Sequence, residues 1–143
     1  MDYETAFSAA SILAMIGWII LLASPFYPTW ANRISGFVIP LILSFGYTAL
    51  LALPSDNNGG GFGSLADVTT LFSYPEAVLA GWVHFLAFDL FIGAWQCRTA
   101  RVDSIRFWFV IPCLALTFLF GPLGLLCFLT LRTFWKRGPV LEA

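Results

Sequence analysis

The sequence predicts an all-α integral membrane protein, in which a single domain of four transmembrane helices accounts for residues 1–143. Hydrophobic residues make up 59% of the chain, whereas Lys, Arg, Asp and Glu together make up only 10%. The mean hydropathy of +0.86 lies well above that of ordinary soluble domains. Four apolar segments also reach the length of about 17 to 25 residues that a helix needs to cross the hydrocarbon core of a bilayer.

The first predicted span covers residues 5 to 26, and the second covers residues 34 to 53. Pro25 and Pro28 follow the first span, and Pro54 follows the second, because proline cannot continue a helix. The first apolar run is longer than that of a cleaved signal peptide and has no basic segment before it, so we expect it to remain as a span. The lack of an Arg- and Ser-rich transit peptide favours a bacterial inner membrane.

The connection between the second and third spans is the longest in the chain. It begins with the Gly-rich stretch DNNGGGFG at residues 56–63, whose composition is typical of a loop. Ser64 is followed three residues later by Asp67, a pattern typical of a helix start, so a short helix at the membrane interface is expected there. The third span is predicted at residues 76 to 97, where Pro75 provides a favourable first helical position.

The fourth span is predicted at residues 107 to 131, and the stretch FLFGPLGLL at residues 118–126 interrupts it. Pro122 cannot donate a hydrogen bond to the carbonyl of Phe118, and Gly121 lowers the cost of bending. We therefore expect this helix to kink or unwind near the middle of the membrane. The freed carbonyl would be tolerated only where it lines a cavity or meets a partner. A kink that only shapes helix packing is the alternative.

The charge of the chain excludes one class of partner, and its cysteine content predicts no disulfide. The net charge of -1 offers no basic stripe for a phosphate backbone, so nucleic acid is excluded as a partner. Four spans would divide the seven Lys and Arg residues four against three, so the positive-inside rule does not determine the orientation. Cys97, Cys113 and Cys127 are odd in number and are expected to be packing residues rather than a disulfide. Self-association into a homo-oligomer is left open.

The third span carries two ionisable residues, His84 and Asp89, in the apolar stretch WVHFLAFDLF at residues 82–91. An ionised Asp at the centre of a membrane helix costs about 2.5 to 3.5 kcal/mol, so Asp89 should face the interior, pair with a partner or stay protonated. We therefore expect a functional role for Asp89, because the basic residues lie near the helix ends and no ion pair with Asp89 is evident. The two side chains are separated by about 140° around the helix, so any site must be completed by another span.

His84 also has a structural explanation, in which a neutral imidazole is hydrogen-bonded to a hydroxyl on another helix. The hydroxyls available for this role belong to Ser44, Tyr47, Thr48 and Thr117. A single histidine excludes a His-rich metal site, and the chain has no nucleophile elbow, phosphate-binding loop or dinucleotide fingerprint. A metal site that combines His84 and Asp89 with Glu76 or Asp67 is possible, but no ligand spacing supports it, and neither a metal nor a cofactor is predicted. What remains is acid-base chemistry on an apolar substrate that enters from the lipid, or binding without chemistry.

Three stretches resemble the abscisic-acid-deficient-four-like family of small membrane proteins. They are AMIGWIILLASP at residues 14–25, WVHFLAFDLFIGAW at residues 82–95 and IPCLALTFLFGPLGLL at residues 111–126. In plants this family is required for converting the epoxide violaxanthin into the allenic neoxanthin. The resemblance implies that a bacterial member acts on another carotenoid or isoprenoid. Phe85 and Ala94 depart from the family pattern, which has a tyrosine and an arginine there.

The resulting hypothesis is a carotenoid isomerase that works without a cofactor. Asp89 would protonate an epoxide or hydroxyl oxygen, and His84 would remove or relay a proton. The alternatives are a non-enzymatic carotenoid-binding or assembly protein and, with less support, a small transporter. Seven further residues are predicted to contact the substrate, and they are Trp82, Phe85, Phe88, Trp95, Gln96, Gly121 and Pro122.

Overall fold

The computed structural model describes residues 2–53 and 60–137, and these ranges contain six helices and no strand. The helices are α1 (Tyr3–Leu22), α2 (Pro28–Leu51), α3 (Leu65–Leu71), α4 (Pro75–Val102), α5 (Phe107–Phe120) and α6 (Pro122–Arg137). The prediction of an all-α protein is thus confirmed, whereas the prediction of four helices is wrong. Half of the Gly-rich stretch, residues 56–59, lies outside the described residues together with Pro54.

Three helices are long and apolar enough to cross a membrane, as judged by length and composition. They are α1 with 20 residues, α2 with 24 and α4 with 28, and they correspond to the first three predicted spans. The short helix predicted after the loop is α3, where the Ser64 hydroxyl accepts a hydrogen bond of 3.1 Å from the backbone N–H of Asp67. This contact satisfies one of the otherwise unpaired N–H groups at the helix start.

A π-helical turn at Ile34–Val38 interrupts α2 and brings it close to α1 and α4. Pro40 follows this turn, and the wider turn accommodates a proline ring that would otherwise clash with the carbonyl four residues earlier. The Ser35 hydroxyl, buried within the turn, donates a hydrogen bond of 2.7 Å to the carbonyl of Gly17 in α1. This bond ties the two helices together deep in the fold.

The central helix is α4, which packs against α1, α2 and α5. Glycines allow the close approach of α1 and α4: a Cβ atom on Gly93 would lie 2.8 Å from the Trp18 ring, and one on Gly17 would lie 2.5 Å from Leu90. Small residues have this role in membrane helix pairs because backbones can then pack closely. Leu90 is fully buried at this contact.

The prediction of a fourth span at residues 107 to 131 is wrong, because the chain reverses direction within this segment. Gly121, with a φ of +23°, separates α5 from α6. The two helices contain 14 and 16 residues, so they are about 21 and 24 Å long. Neither reaches across a hydrocarbon core of about 30 Å. The sequence located the break correctly, but the break is a reversal and not a kink.

Contacts between α5 and α6 demonstrate that they fold back on each other as a helical hairpin. The Sγ atoms of Cys113 and Cys127 lie 3.3 Å apart, and the ring centroids of Phe109 and Trp135 lie 5.6 Å apart. In one continuous helix, residues separated by 14 positions would lie about 21 Å apart. We call this element, Phe107–Arg137, the re-entrant hairpin.

The two ends of the re-entrant hairpin have different surroundings. Its tip, Gly121, lies against Asp89 at the midpoint of α4. At its base, the Arg132 guanidinium forms a salt bridge of 2.5 Å with Asp103, which follows the last residue of α4. The hairpin therefore starts beside the carboxyl end of α4, reaches the level of Asp89 at the midpoint of α4 and returns to the same end of the bundle. Irregular backbone is tolerated at that depth because the protein buries it.

Oxidative cross-linking provides a direct test of this reversal. In a Cys97→Ala variant, which retains only Cys113 and Cys127, a membrane-permeant oxidant is expected to form an intramolecular disulfide. The measurement is mass spectrometry of the joined peptides, and Cys127→Ser is the negative control. Failure to form this product under conditions that oxidise the same thiols to other adducts would contradict the hairpin.

The reversal also changes the distribution of charge across the membrane. The hairpin returns to its own side, so every Lys and Arg of the chain lies toward the end of the bundle where α1 ends and α2 begins. These residues are Arg33, Arg98, Arg101, Arg106, Arg132, Lys136 and Arg137. The division of four against three thus becomes seven against none, and by the positive-inside rule we expect this end to face the cytoplasm.

A topology experiment checks this orientation. A fluorescent reporter fused after Arg137 is expected to fluoresce, and alkaline phosphatase at the same position is expected to be inactive, because both would lie in the cytoplasm. A cysteine introduced at Glu4 is expected to react with a membrane-impermeant reagent from outside. Four full spans would put both positions on one side, so labelling of both from the same side would contradict the assignment.

Candidate functional site

Asp89 is the polar centre of the site, because the fold buries its carboxyl group in the middle of α4. The residue is only 6% exposed, and its Oδ2 atom has no hydrogen-bond partner among the described residues. The carboxyl group lies against the hairpin tip, since a Cβ atom on Gly121 would lie 2.6 Å from Oδ1. Burying a carboxyl oxygen without a partner is costly, which makes Asp89 a strong candidate for contact with a ligand.

A cavity of about 250 Å³ adjoins Asp89, and we call it the Asp89 cavity. Its walls come from α1, α4 and the last turn of α5, and they include Met15, Trp18, Trp82, Phe85, Phe118 and Leu119. The cavity exists because the hairpin ends at the level of Asp89 and does not fill the remaining space beside α1 and α4. Met15, Trp82 and Leu119 are 46%, 38% and 58% exposed, so the cavity opens onto the surface that would face lipid.

Aromatic contacts hold the walls of the Asp89 cavity in place. The indole N–H of Trp82 donates a hydrogen bond of 3.0 Å to the Ser11 hydroxyl in α1. The Trp82 ring also stacks on Phe85, with centroids 5.6 Å apart. Near the hairpin tip, Trp18 meets Phe118 edge to face at 5.5 Å. These contacts link all three helices around the cavity, so its shape depends on their packing.

His84 does not line the Asp89 cavity. Its side chain is exposed on the other side of α4, where it stacks on Phe88 with centroids 4.5 Å apart and lies 5.8 Å from the Tyr47 ring. It borders a separate cavity of about 680 Å³, which we call the His84 cavity. The separation of His84 and Asp89 around α4 that the sequence predicts is therefore present in the structure.

The hydroxyls considered as partners of His84 have other roles. Ser44 donates to the carbonyl of Pro40, and Thr48 donates to the carbonyl of Ser44. Tyr47 meets the imidazole through its ring and forms no hydrogen bond with it among the described contacts. Thr117 is buried beside Gln96, far from His84. Stacking, and not a hydroxyl hydrogen bond, is thus the structural role that the fold gives His84.

Gln96 is fully buried and fastens the re-entrant hairpin to α4. Its side-chain N–H groups donate to the Thr117 hydroxyl at 2.9 Å and to the Gly124 carbonyl at 3.4 Å. The Thr117 hydroxyl in turn donates to the carbonyl of Cys113 at 2.8 Å. The amide predicted to contact substrate is therefore occupied by contacts within the protein.

The remaining predicted residues divide between the cavity and the scaffold. Trp82 and Phe85 line the Asp89 cavity, and Gly121 lies against the carboxyl group. Trp95 packs edge to face on Phe128 in α6, and Phe88 is 56% exposed on the outer surface. Pro122 is the first residue of α6. The N–H group at that position has no partner within the helix, so the missing N–H of proline costs no hydrogen bond.

Sequence reasoning missed the contribution of α1, which supplies Ser11, Met15 and Trp18 to the cavity walls. Two signals were present there: the stretch at residues 14–25 that resembles the family, and the Gly-Trp pair at Gly17 and Trp18, which repeats at Gly81 and Trp82. For metals, the described residues contain no group of three or more His, Cys, Asp or Glu side chains that could hold an ion.

Comparison with known proteins gives one result. The family model described as ABA DEFICIENT 4-like matches residues 5–128. No curated protein and no solved structure matches the chain. The matched region includes α1 from Thr5 onward, α2 to α5, the hairpin tip and the residues that line the Asp89 cavity.

Proposed function

We propose that this chain, which belongs to the ABA DEFICIENT 4-like family, binds a carotenoid-like polyene in the membrane. It isomerises an oxygenated end group of that molecule. One observation carries the proposal: the Oδ2 atom of Asp89 is buried without a hydrogen-bond partner among the described residues, beside a cavity that opens toward lipid. An apolar substrate can reach such a site without crossing water. The bacterial inner membrane is the location we propose.

The size of the Asp89 cavity supports binding of an end group and not of an entire polyene. Its volume of about 250 Å³ lies just below the range of about 300 to 1,000 Å³ that is usual for whole small-molecule ligands. The aromatic walls formed by Trp82 and Phe85 suit a conjugated or cyclic apolar group. The rest of a long molecule would extend along the helix surface beside lipid.

The proposed chemistry needs one carboxyl group. As the neutral acid, Asp89 donates its proton to an epoxide oxygen while the carbon–oxygen bond breaks. The carboxylate left behind then accepts a proton from a neighbouring polyene carbon as the double bonds shift, so the product carries a hydroxyl and is an isomer of the substrate. One proton is given and one is taken back, and no electrons leave the molecule. Both transfers are assigned to Asp89 because His84 borders a different cavity.

Incubation with a defined pigment tests this proposal. Purified protein in liposomes is given a xanthophyll with an epoxide end group, and products are analysed by chromatography and mass spectrometry. We expect a new pigment of unchanged mass that has lost the epoxide and gained a hydroxyl and one carbon–carbon double bond. Recovery of the original pigment, unchanged after prolonged binding to the protein, would exclude the isomerase.

A second candidate function is pigment binding without chemistry. It is favoured by a further apolar cavity of about 390 Å³ between α1, α2 and α4, which borders no carboxyl group. Its walls include the small residues Ala6, Ala9 and Gly46, whose size leaves room for a rod-shaped molecule. The liposome experiment separates the two functions, because a binding protein would retain pigment and never change it.

A further inference from the structure

Arg98 lies at the contact between α2 and α4, near the end of the bundle that carries the basic residues. Its Nη1 atom lies 2.9 Å from the position that a Cβ atom on Gly36 would take, so the glycine leaves room for it in α2. Its Cζ atom lies 5.9 Å from the centroid of the Phe91 ring, which is about two turns earlier in α4. The half-buried guanidinium group is therefore held against apolar parts of the protein.

No acidic residue in the described part of the chain neutralises Arg98. Its guanidinium group forms neither a hydrogen bond nor a salt bridge with another described residue. Asp103, the only described acid at this end, is bound by Arg132, and Asp89 lies against Gly121. The other described acids lie at the opposite end of the bundle, and they are Asp2, Glu4, Asp67 and Glu76. A cation in a membrane helix rarely lacks a partner, so an anion from outside the chain is indicated.

Two further arginines lie close to Arg98. Arg33 is three residues before Gly36 on α2, so its Cβ atom lies within about 10 Å of the Arg98 guanidinium group. Arg101 is three residues beyond Arg98 on the same side of α4. Both are exposed, and neither forms a salt bridge with a described acid. We call these three residues the arginine seam. Their like charges repel one another, and a shared anion would remove that repulsion.

The surface beside the arginine seam is apolar and aromatic. Phe37 on α2 is 65% exposed and Phe91 on α4 is 47% exposed, and both lie on the side of the seam toward the midpoint of α4. Trp30, one turn before Arg33, is also exposed on the outer side, as is usual for tryptophan at a membrane interface. The seam and these rings thus form one amphipathic surface, which is cationic at one end and apolar along the rest.

The level of Arg98 along α4 matches the boundary between hydrocarbon and headgroups. Arg98 is nine residues beyond Asp89, or about 14 Å along the helix axis. Half of a hydrocarbon core of about 30 Å is about 15 Å. A bilayer centred on the midpoint of α4 would therefore bring lipid phosphates within reach of the seam.

We infer that the arginine seam binds the phosphate group of one anionic glycerophospholipid, whose acyl chain lies along Phe37 and Phe91. Arg98 donates paired, charge-assisted hydrogen bonds to the phosphate oxygens, and Arg33 and Arg101 close over the headgroup. Basic pockets between transmembrane helices bind such headgroups in this way. The inference is independent of the proposed function, because no residue of the seam lines the Asp89 cavity or the His84 cavity.

Lipid titration followed by native mass spectrometry tests the inference. The full chain is stripped of lipid in detergent and titrated with phosphatidylglycerol or with phosphatidylcholine of the same acyl chains. Arg98→Gln removes the central guanidinium group. Arg106→Gln is the matched control, because it removes the same charge at the same end from an exposed residue that precedes α5, outside the seam. Size-exclusion profiles establish that each variant is folded.

The expected results distinguish the seam from the general positive charge of this end. The wild type should bind phosphatidylglycerol at least about ten-fold more tightly than phosphatidylcholine, and Arg98→Gln should lose at least about ten-fold in affinity for phosphatidylglycerol alone. Arg106→Gln should change it less than about two-fold. Arg98→Lys keeps the charge but not the paired hydrogen bonds, so its affinity should be intermediate. Phosphatidylglycerol should also raise the melting temperature of the wild type and of Arg106→Gln, but not of Arg98→Gln.

Three outcomes would each overturn the inference: equal binding of the two lipids by the wild type, an equal loss in Arg98→Gln and Arg106→Gln, or displacement of phosphatidylglycerol by an equal concentration of inorganic phosphate. The last would identify a site for a soluble anion. If Arg98→Gln does not fold, Arg33→Gln replaces it, because Arg33 is exposed and should still reduce phosphatidylglycerol affinity by about three-fold or more. No result of this titration bears on the chemistry proposed for Asp89.

Discussion

Replacing Asp89 by asparagine is expected to abolish isomerisation while leaving pigment binding intact. Asparagine has nearly the same size, so it fits against Gly121, but its amide cannot donate and recover a proton as a carboxyl group does. General acid-base catalysis contributes about 10²- to 10⁴-fold, so turnover in liposomes should fall by at least about 10²-fold. Binding should change little, because the cavity walls remain.

Glu4→Gln is the matched control, since it makes the same change in an exposed carboxyl group in the first turn of α1, far from the cavity. It should behave like the wild type. His84→Ala is a second comparison. The sequence alone predicted that this variant loses turnover, but the structure places His84 in another cavity. We therefore expect weaker pigment binding and unchanged turnover at saturating pigment. If Asp89→Asn retains more than a tenth of wild-type turnover, Asp89 is not the acid.

Gly124→Ala is expected to cause the largest loss of stability among single substitutions in the re-entrant hairpin. A Cβ atom on Gly124 would overlap the backbone N and Cα atoms of Thr117, which cannot move aside without opening α5 from α6. Overpacking typically costs about 1 to 3 kcal/mol, and a backbone overlap belongs at the upper end of that range. The apparent melting temperature in detergent should fall markedly, and cross-linking of Cys113 to Cys127 should decrease with it.

Gly46→Ala is the control for Gly124→Ala, because nothing lies within 4 Å of the position a Cβ atom would take there. Alanine in the interior of α2 should leave the melting temperature unchanged or raise it slightly, since alanine favours a helix over glycine by about 1 kcal/mol. Equal melting of Gly124→Ala and the wild type would mean that α5 and α6 do not pack as closely as described.

Local patterns were sufficient to predict much of the fold. The apolar runs located α1, α2 and α4, and the Ser64 and Asp67 pair located α3. The boundaries were less accurate: α2 begins six residues before the predicted residue 34, and α4 continues five residues beyond the predicted residue 97. Helix ends depend on tertiary contacts, such as the π-turn that joins α2 to α1, and such contacts leave no periodic signal.

The candidate site was only partly predictable for a similar reason. The cost of a carboxyl group in the membrane singled out Asp89, and helix geometry separated it from His84. Gln96 was predicted to contact substrate because it is polar and aligned with Asp89, but the structure gives its hydrogen bonds to Thr117 and Gly124. Sequence alone cannot tell whether a buried polar group faces a cavity or another helix.

The sequence by itself determined that this chain forms apolar helices, that the fourth segment breaks at Gly121 and Pro122, and that Asp89 lies near the middle of the third apolar helix. These features follow from interactions over a few residues: backbone hydrogen bonding, the missing N–H of proline and the desolvation of a carboxyl group. Only the tertiary structure decided that the break is a reversal, because the contact of Gly124 with Thr117 joins two helices through packing. That reversal leaves the Asp89 cavity unfilled and brings all positive charge to one side.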